Sequence, residues 1–166
     1  MTKGKPLPHQ KDLTYKFSYL DGKIFRNTTG KEVKGRDDGG GYLRVKIFKE
    51  RWQKHRIIWK MLKGYDPDTI DHINGNKLDN RIENLRDIPN NLNAKNKKPY
   101  SNGISRFKGV YFHKEKGVFA SQIGVNGSLI FLGSFTDEVD AAKAYDVAAL
   151  ELHGKYAKTN EMLGLY

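Results

Sequence analysis

Short runs in which apolar and polar residues alternate fill the stretch from residue 15 to residue 47, and they predict strands. The run FSYLDGKIFRN holds Asp21-Gly22 between two such stretches, which is a two-residue hairpin signal. Gly39, Gly40 and Gly41 precede YLRVKIF, where Leu43, Val45 and Ile47 alternate with Arg44 and Lys46. That spacing predicts a half-buried strand with a basic outer face. The period then changes. Across residues 53–62 (QKHRIIWKML), Ile57, Ile58, Met61 and Leu62 recur at helical spacing, and Gly64 and Pro67 supply the stop. Residues 1–14 show no period, contain two prolines and are expected to form a flexible basic arm.

Residues 69–98 read TIDHINGNKLDNRIENLRDIPNNLNAKNKK, with eight asparagines, few apolar residues and a turn signal at Asn74-Gly75. Asparagine is poor inside helices and good in turns, caps and ligand roles. Such a segment cannot build a core of its own and must lean on its neighbours. The polar run that follows predicts a linker, placed at residues 99–106. Beyond it the pattern is cleaner. FKGVYFH, GVFASQIGV and SLIFLGSF are three strand-like runs separated by KEKG and by Asn126-Gly127, and they predict a three-stranded antiparallel sheet. TDEVDAAKAYDVAALELHG then predicts a helix with Thr136 as N-cap, acidic residues in the first turn, and Gly154 as the stop. Its alanines allow close approach to the sheet.

Composition narrows the function. In 166 residues, 37% are apolar, and no run approaches the roughly 20 apolar residues of a spanning helix. The first residues hold no hydrophobic segment, so no secretory signal is expected and the cytoplasm is the expected compartment. Without cysteine there are no disulfides, thiolate zinc sites or cysteine nucleophiles. Lys and Arg total 30 against 19 Asp and Glu, a net charge of +11 that points to a polyanion. All of that excess lies in residues 1–100, with 23 basic and 12 acidic residues. Residues 101–166 are neutral but polarised: the strand-like part to residue 136 carries +3, and the remainder carries −3. A sheet with that charge faces phosphates while the helix behind it repels them.

One constellation carries chemistry: Asp71-His72, then Asn84 twelve residues after the histidine, then Asn93. Taken alone, an Asp-His pair in a loop is more often structural than catalytic. With His55-Arg56 in HRIIW, the stretch DHINGNKLDNRIENLR and the following NNLNAKN, however, residues 15–98 resemble the HNH endonucleases, specifically the phage and intron homing type. The resemblance implies a ββα-metal module around one divalent cation. Asp71 and Asn93 would be its oxygen ligands, suited to Mg²⁺ or Mn²⁺. His72 would be the general base, and Asn84 would brace the loop and help hold the histidine ring. It also implies a cation that stabilises the transferring phosphate and the leaving 3′ oxygen, and products with 5′-phosphate and 3′-hydroxyl ends. His55 and Arg56 are candidate phosphate contacts, with simple packing an equal alternative for His55. Two departures from the family pattern stand out: the last motif position is Asn93 rather than a second histidine, and the cysteine pairs that bind structural zinc in other members are absent.

The second half resembles the plant ethylene-response-factor or AP-two DNA-binding domain over residues 107–160. FKGV, FLGSF, AAKAYDVAALELHG and AKTN carry the match. That family lays its sheet in the major groove, so the resemblance implies DNA contacts at Lys108, Tyr111, His113, Gln122, Phe131 and Tyr145. Arginines expected at Tyr111, Gly124 and Leu129 are missing, as is a tryptophan at Phe131, which argues against the guanine-rich readout of the plant members.

The expected fold is α+β: a nuclease module with a strand-rich preamble, followed by a three-stranded antiparallel sheet packed on one helix. The expected function is site-specific, metal-dependent cleavage of double-stranded DNA by a homing-type, phage-encoded monomer without a small-molecule cofactor. One active site per monomer makes a nick the simpler outcome. A non-cleaving DNA-binding regulator is one alternative, and a nuclease acting on junctions or RNA is another.

Overall fold

In the computed structural model, which describes residues 5–89, 105–125 and 127–166, the chain divides into two compact units, Met1–Pro89 and Asn90–Tyr166. The first unit opens with a helix, α1 (Gln10–Lys16), where a flexible arm was expected. Leu13 on this helix is fully buried and Leu7 just before it is buried as well. The backbone N–H of Leu7 donates to the Asp66 carboxylate at 3.0 Å, and Gln10 Nε2 donates to the carbonyl of Met61. Two isolated leucines give no readable period, yet they are enough to fasten the segment to its neighbours.

Strands β1 (Phe17–Leu20) and β2 (Lys23–Arg26) form the hairpin expected around Asp21-Gly22. Both turn residues have positive φ, 44° and 74°, as a type I′ turn requires. A short β3 (Arg36–Asp37), β4 (Leu43–Ile47) and β5 (Glu50–Gln53) form an antiparallel sheet in that order. Val45 and Ile47 of β4 are buried while Arg44 and Lys46 are exposed, as the alternation predicted. The β4–β5 turn is Phe48-Lys49, two non-glycine residues at φ 51° and 67°. A type I′ turn without glycine or asparagine carries no sequence signature, and β5 went unread for that reason.

Helix α2 (Lys54–Lys63) ends at Gly64, whose φ of 84° allows its N–H to close on the Lys60 carbonyl. Its inner face differs from the expected one by a residue: Ile57, Ile58 and Met61 are buried together with Trp59, whereas Leu62 is exposed. Strands β6 (Thr69–His72) and β7 (Leu85–Ile88) pair antiparallel, joined by an asparagine-rich loop and a 3-10 turn (Ile82–Asn84). Ile70 and Leu85 join the unit's core, which also holds Leu13, Phe17, Ile24, Val45, Ile57 and Ile58. The expected ligand Asn93 lies outside the described residues.

The second unit has the expected sheet, β8 (Val110–His113), β9 (Val118–Val125) and β10 (Ser128–Phe135), with β9 in the middle. Helix α3 (Glu138–His153) packs on it through Ala141, Ala142, Tyr145, Ala148 and Ala149. The cap is Asp137, one residue later than expected: its Oδ1 accepts from the N–H groups of Val139 and Asp140 at 2.7 and 3.0 Å. The unit runs past residue 160. Tyr166 donates its hydroxyl to Asp146, and its ring stacks on Phe107.

Gly109 shows how close the packing is. It sits at φ 79°, and a Cβ there would run into the Tyr145 ring. Gly109→Ala is therefore expected to destabilise the second unit by about 3 kcal/mol or more, from backbone strain and overpacking together. Urea unfolding followed by circular dichroism, with the tryptophan signal of the first unit as an internal reference, checks it. An unchanged midpoint contradicts the packing described.

Candidate active site and nucleic-acid interface

The β6–β7 pair places the chemistry. Asp71 lies opposite Arg86 and His72 opposite Leu85. Asp71 and His72 are both buried, and a buried carboxylate needs a partner to stay charged. Arg86 provides one, donating from Nε and Nη2 to Asp71 Oδ2 at 3.0 and 2.8 Å. Sequence reasoning passed over Arg86, because only the strand register shows that it faces Asp71.

The loop after β6 is built almost entirely from asparagine and aspartate side chains. Asn84 Oδ1 accepts from the Asn74 N–H at 2.9 Å, and its Nδ2 donates to the Asp79 carbonyl at 2.8 Å. Asn74 Nδ2 donates to Asp79, whose carboxylate is also held by Arg81; that ion pair lowers the Asp79 pKa to about 2. Asn84 thus ties the two ends of the loop together. A different asparagine, Asn80, lies against the catalytic candidate's ring, with Oδ1 3.3 Å from His72 Nε2. Asn80 Nδ2 is engaged with the Leu78 carbonyl, so its oxygen faces the ring. With Asn80 in this orientation the contact is a hydrogen bond only when the ring proton is on Nε2, the tautomer that leaves the lone pair on Nδ1. Among eight asparagines in the segment, nothing in the sequence marked Asn80.

The loop rests on the preamble. Tyr19 of β1 accepts the Ile82 N–H on its hydroxyl at 2.9 Å, and the Gly22 turn lies against Asn80 and Arg81 so closely that a Cβ would sit 3.0 Å from Arg81 N. From the other side, Lys77 Nζ donates to the Gly40 carbonyl and lies over the Tyr42 ring. Tyr42, His55 and His72 form an aromatic cluster, with His55 edge-on to His72 at 5.2 Å between ring centres and Tyr42 at 5.2 Å from His55.

His55 is buried, and this corrects the expectation of a phosphate contact. A side chain 4% exposed cannot reach the DNA backbone; packing, the alternative left open, is what the structure shows. Its Nδ1 is buried without a partner among the described residues, and burial, reinforced by the neighbouring His72, lowers its pKa to about 3. Arg56 is half-buried and donates to the Pro67 carbonyl at 3.0 Å.

In the second unit the six expected DNA contacts divide. Phe119 and Ile123 of β9 face α3, so Gln122 and Gly124 face outward, together with their cross-strand partners Phe131 and Leu129. Tyr111 lies on that same outer face, and His113 ends β8 half-buried. Lys108 and Tyr145 do not reach it. Lys108 is buried, its Nζ donating to the Lys158 carbonyl and lying over Tyr145, itself 4% exposed. Both belong to the packing between sheet, helix and the segment after it, so the expectation that they contact DNA is corrected.

Comparison with known proteins finds likenesses of two kinds. Residues 53–95 fit the family model described as HNH endonuclease. The ethylene-responsive transcription factor WRI1 of Arabidopsis thaliana is 29% identical over 112 residues, 64% of this chain and 26% of that protein. The AP2-like ethylene-responsive transcription factor PLT2 of the same plant is 39% identical over 69 residues, 40% of this chain and 12% of that protein. The chain is thus similar in part to HNH endonucleases and in part to AP2-type ethylene-responsive factors. It spans about a quarter or less of the curated relatives it matches. A solved structure of the HNH homing endonuclease I-HmuI is similar over 54% of this chain and 55% of that one, at 27% identity and a TM-score of 0.46.

The buried His55 of the first unit makes an acid-stability prediction. Its folded pKa, about 3, lies below the ordinary 6.5, so the unfolded chain takes up the proton first as pH falls. Stability present above pH ~6.5 should decline progressively toward pH 3, by on the order of 4 kcal/mol from this residue. His55→Phe should flatten that decline in urea titrations run at several pH values. An equally steep decline in the variant contradicts it.

Proposed function

We propose that this chain is a metal-dependent DNA endonuclease in which the HNH module hydrolyses a phosphodiester bond and the AP2-type module holds the duplex. The observation that carries this reading is the adjacent pair Asp71-His72, each side chain fixed by its own partner, Arg86 and Asn80. In this reading His72 takes the proton of an attacking water at Nδ1, because Nε2–H is committed to Asn80. Asn84 keeps the loop in the shape that aims the ring.

A divalent cation fits the donor chemistry at hand. Asp71 offers a carboxylate, with Oδ2 held by Arg86, and Asn93 an amide oxygen, hard donors of the kind Mg²⁺ or Mn²⁺ prefers. Asp71 and Asn93 would hold it, and when bound it would supply positive charge for the phosphate and the departing 3′ oxygen. Among the described residues no three His, Cys, Asp or Glu side chains cluster as a metal site, so the amides and the substrate phosphate would complete the shell.

The surface of the HNH module supports a polyanionic substrate. Arg36 lies directly opposite Arg44, and Lys46 opposite Arg51, all exposed on one face of the β3–β5 sheet beside a groove of about 650 Å³. Like charges paired across strands repel, and phosphates relieve that repulsion. The AP2-type relatives are transcription factors, which supports duplex DNA as the polyanion. We read the protein as a homing-type, phage-encoded monomer that leaves a nick with 5′-phosphate and 3′-hydroxyl ends.

The test is cleavage of plasmid and phage DNA with Mg²⁺ or Mn²⁺. Cutting should stop in EDTA and fall about 10²–10⁴-fold in His72→Ala, with DNA retention in gel shifts unchanged. Binding without cleavage under every metal tried, and no effect of His72→Ala, would leave a DNA-binding regulator instead.

A further inference from the structure

The outer face of the AP2-type sheet is unusually apolar for a surface that meets nucleic acid. Phe131 is 62% exposed and Leu129 is 70% exposed, and Tyr111 shares the face. Phe131 is the cross-strand partner of Gln122, and Leu129 is the partner of Gly124. Beside Gly124 there is open space: a Cβ added there would meet nothing closer than the Leu129 side chain at 3.8 Å. The centre of the face is therefore a glutamine beside an aromatic ring, next to a bare stretch of backbone with a leucine at its edge. Positive charge sits at the margin, on exposed Lys114 and Lys116 of the β8–β9 turn.

Each part of that face has a defined complement in a base pair. A glutamine amide matches adenine N6 and N7 in two parallel hydrogen bonds, and the thymine C5-methyl is the one apolar group displayed in the major groove. Guanine would need an arginine or lysine at the same place, and the face offers neither at its centre. Resting on the reading of this module as a duplex-DNA clamp, we propose that the sheet is a reader of A·T pairs. In it Gln122 takes an adenine edge while Phe131 and Leu129 pack on thymine methyl groups. The marginal lysines hold phosphates, and Gly124 lets the groove floor approach the backbone. Charge favours the same side: Lys114 and Lys116 stand exposed beside the strand face, and the chain from residue 137 onward, which includes α3, carries −3. DNA docks on the strand face and is repelled from the helix face.

The test begins with the full chain in EDTA, selected on a library of random-sequence duplexes. The bound pool should be enriched in a short A·T block. Resynthesis of a selected duplex with deoxyuridine in place of thymine removes only the methyl groups. It should weaken binding about fourfold per contacted thymine; Phe131→Ser should reduce that sensitivity, and Phe131→Ser with Leu129→Ser should abolish it. Gln122→Ala should lower discrimination of A·T over G·C about tenfold. Phe131 is exposed, so its replacement leaves the core intact. Enrichment of G·C, or equal affinity for thymine and uracil duplexes, overturns the A·T reading while leaving DNA binding standing. No retention of any duplex overturns the clamp and this inference together. Sedimentation supplies a third arm. A wild-type dimer that becomes monomeric in Phe131→Ser, with DNA affinity unchanged, makes the face a contact between copies and overturns the proposal.

Discussion

A carboxylate taken out of water must be held, and the pairing of Asp71 with Arg86 across β6 and β7 is the contact on which the first unit's site depends. The pair fits the strand register, because a one-residue slip would turn Arg86 to the other face and take two hydrogen bonds from a buried carboxylate. With the register fixed, His72 falls beside Leu85 and the loop between the strands has fixed ends. Asparagine side chains then do what backbone ladders do elsewhere. Asn74, Asn80 and Asn84 bind loop carbonyls and N–H groups at distances of 2.8–3.1 Å, which gives rigidity to a segment with few apolar residues.

The preamble strands serve this loop more than they serve themselves. The β1–β2 turn presses on Asn80 and Arg81, Tyr19 caps the 3-10 turn, and the three glycines bring Tyr42 against the two histidines. His55 belongs to the same support. An uncharged imidazole in that position costs an unsatisfied Nδ1, a penalty of about 1–3 kcal/mol, and in return supplies an edge-on ring against His72. The second unit solves a similar problem with one buried network. Asp146 accepts from Asn160, Glu161 and Tyr166, and Asn160 also binds both backbone groups of Lys108, so helix, loop and final residues close over one another.

Much of this architecture was legible in the sequence, and the failures have physical causes. The Asp21-Gly22 hairpin, the alternation in β4, α2 and the sheet-plus-helix of the second unit follow from local rules that the backbone obeys. Helix α1 was missed because two buried leucines make no period. Strand β5 was missed because Phe48 and Lys49 adopt positive φ without the residues that usually announce it. At the site, Asp71, His72 and Asn84 stood out by their spacing, whereas Arg86, Asn80 and Tyr42 matter only through where the fold brings them. Lys108 and Tyr145 were assigned to DNA by the family resemblance and His55 by its place beside Arg56, but their positions are interior. A residue's chemistry tells what it can do, and only packing tells whether anything can reach it.

Strand β10 shifts register between Phe131 and Gly133, with Leu132 as the extra residue. Before the bulge the odd-numbered residues Leu129 and Phe131 face outward; after it, odd-numbered Phe135 faces the helix. The bulge therefore acts as a phase switch that lets one strand contribute apolar side chains to two opposite surfaces. Loss of a single residue at Leu132 would restore one uniform phase. Either the outward pair would turn into the core or Phe135 would turn out of it. In this stretch the count of residues constrains the protein more tightly than their identity, and natural variation here should come as substitutions and not as insertions or deletions.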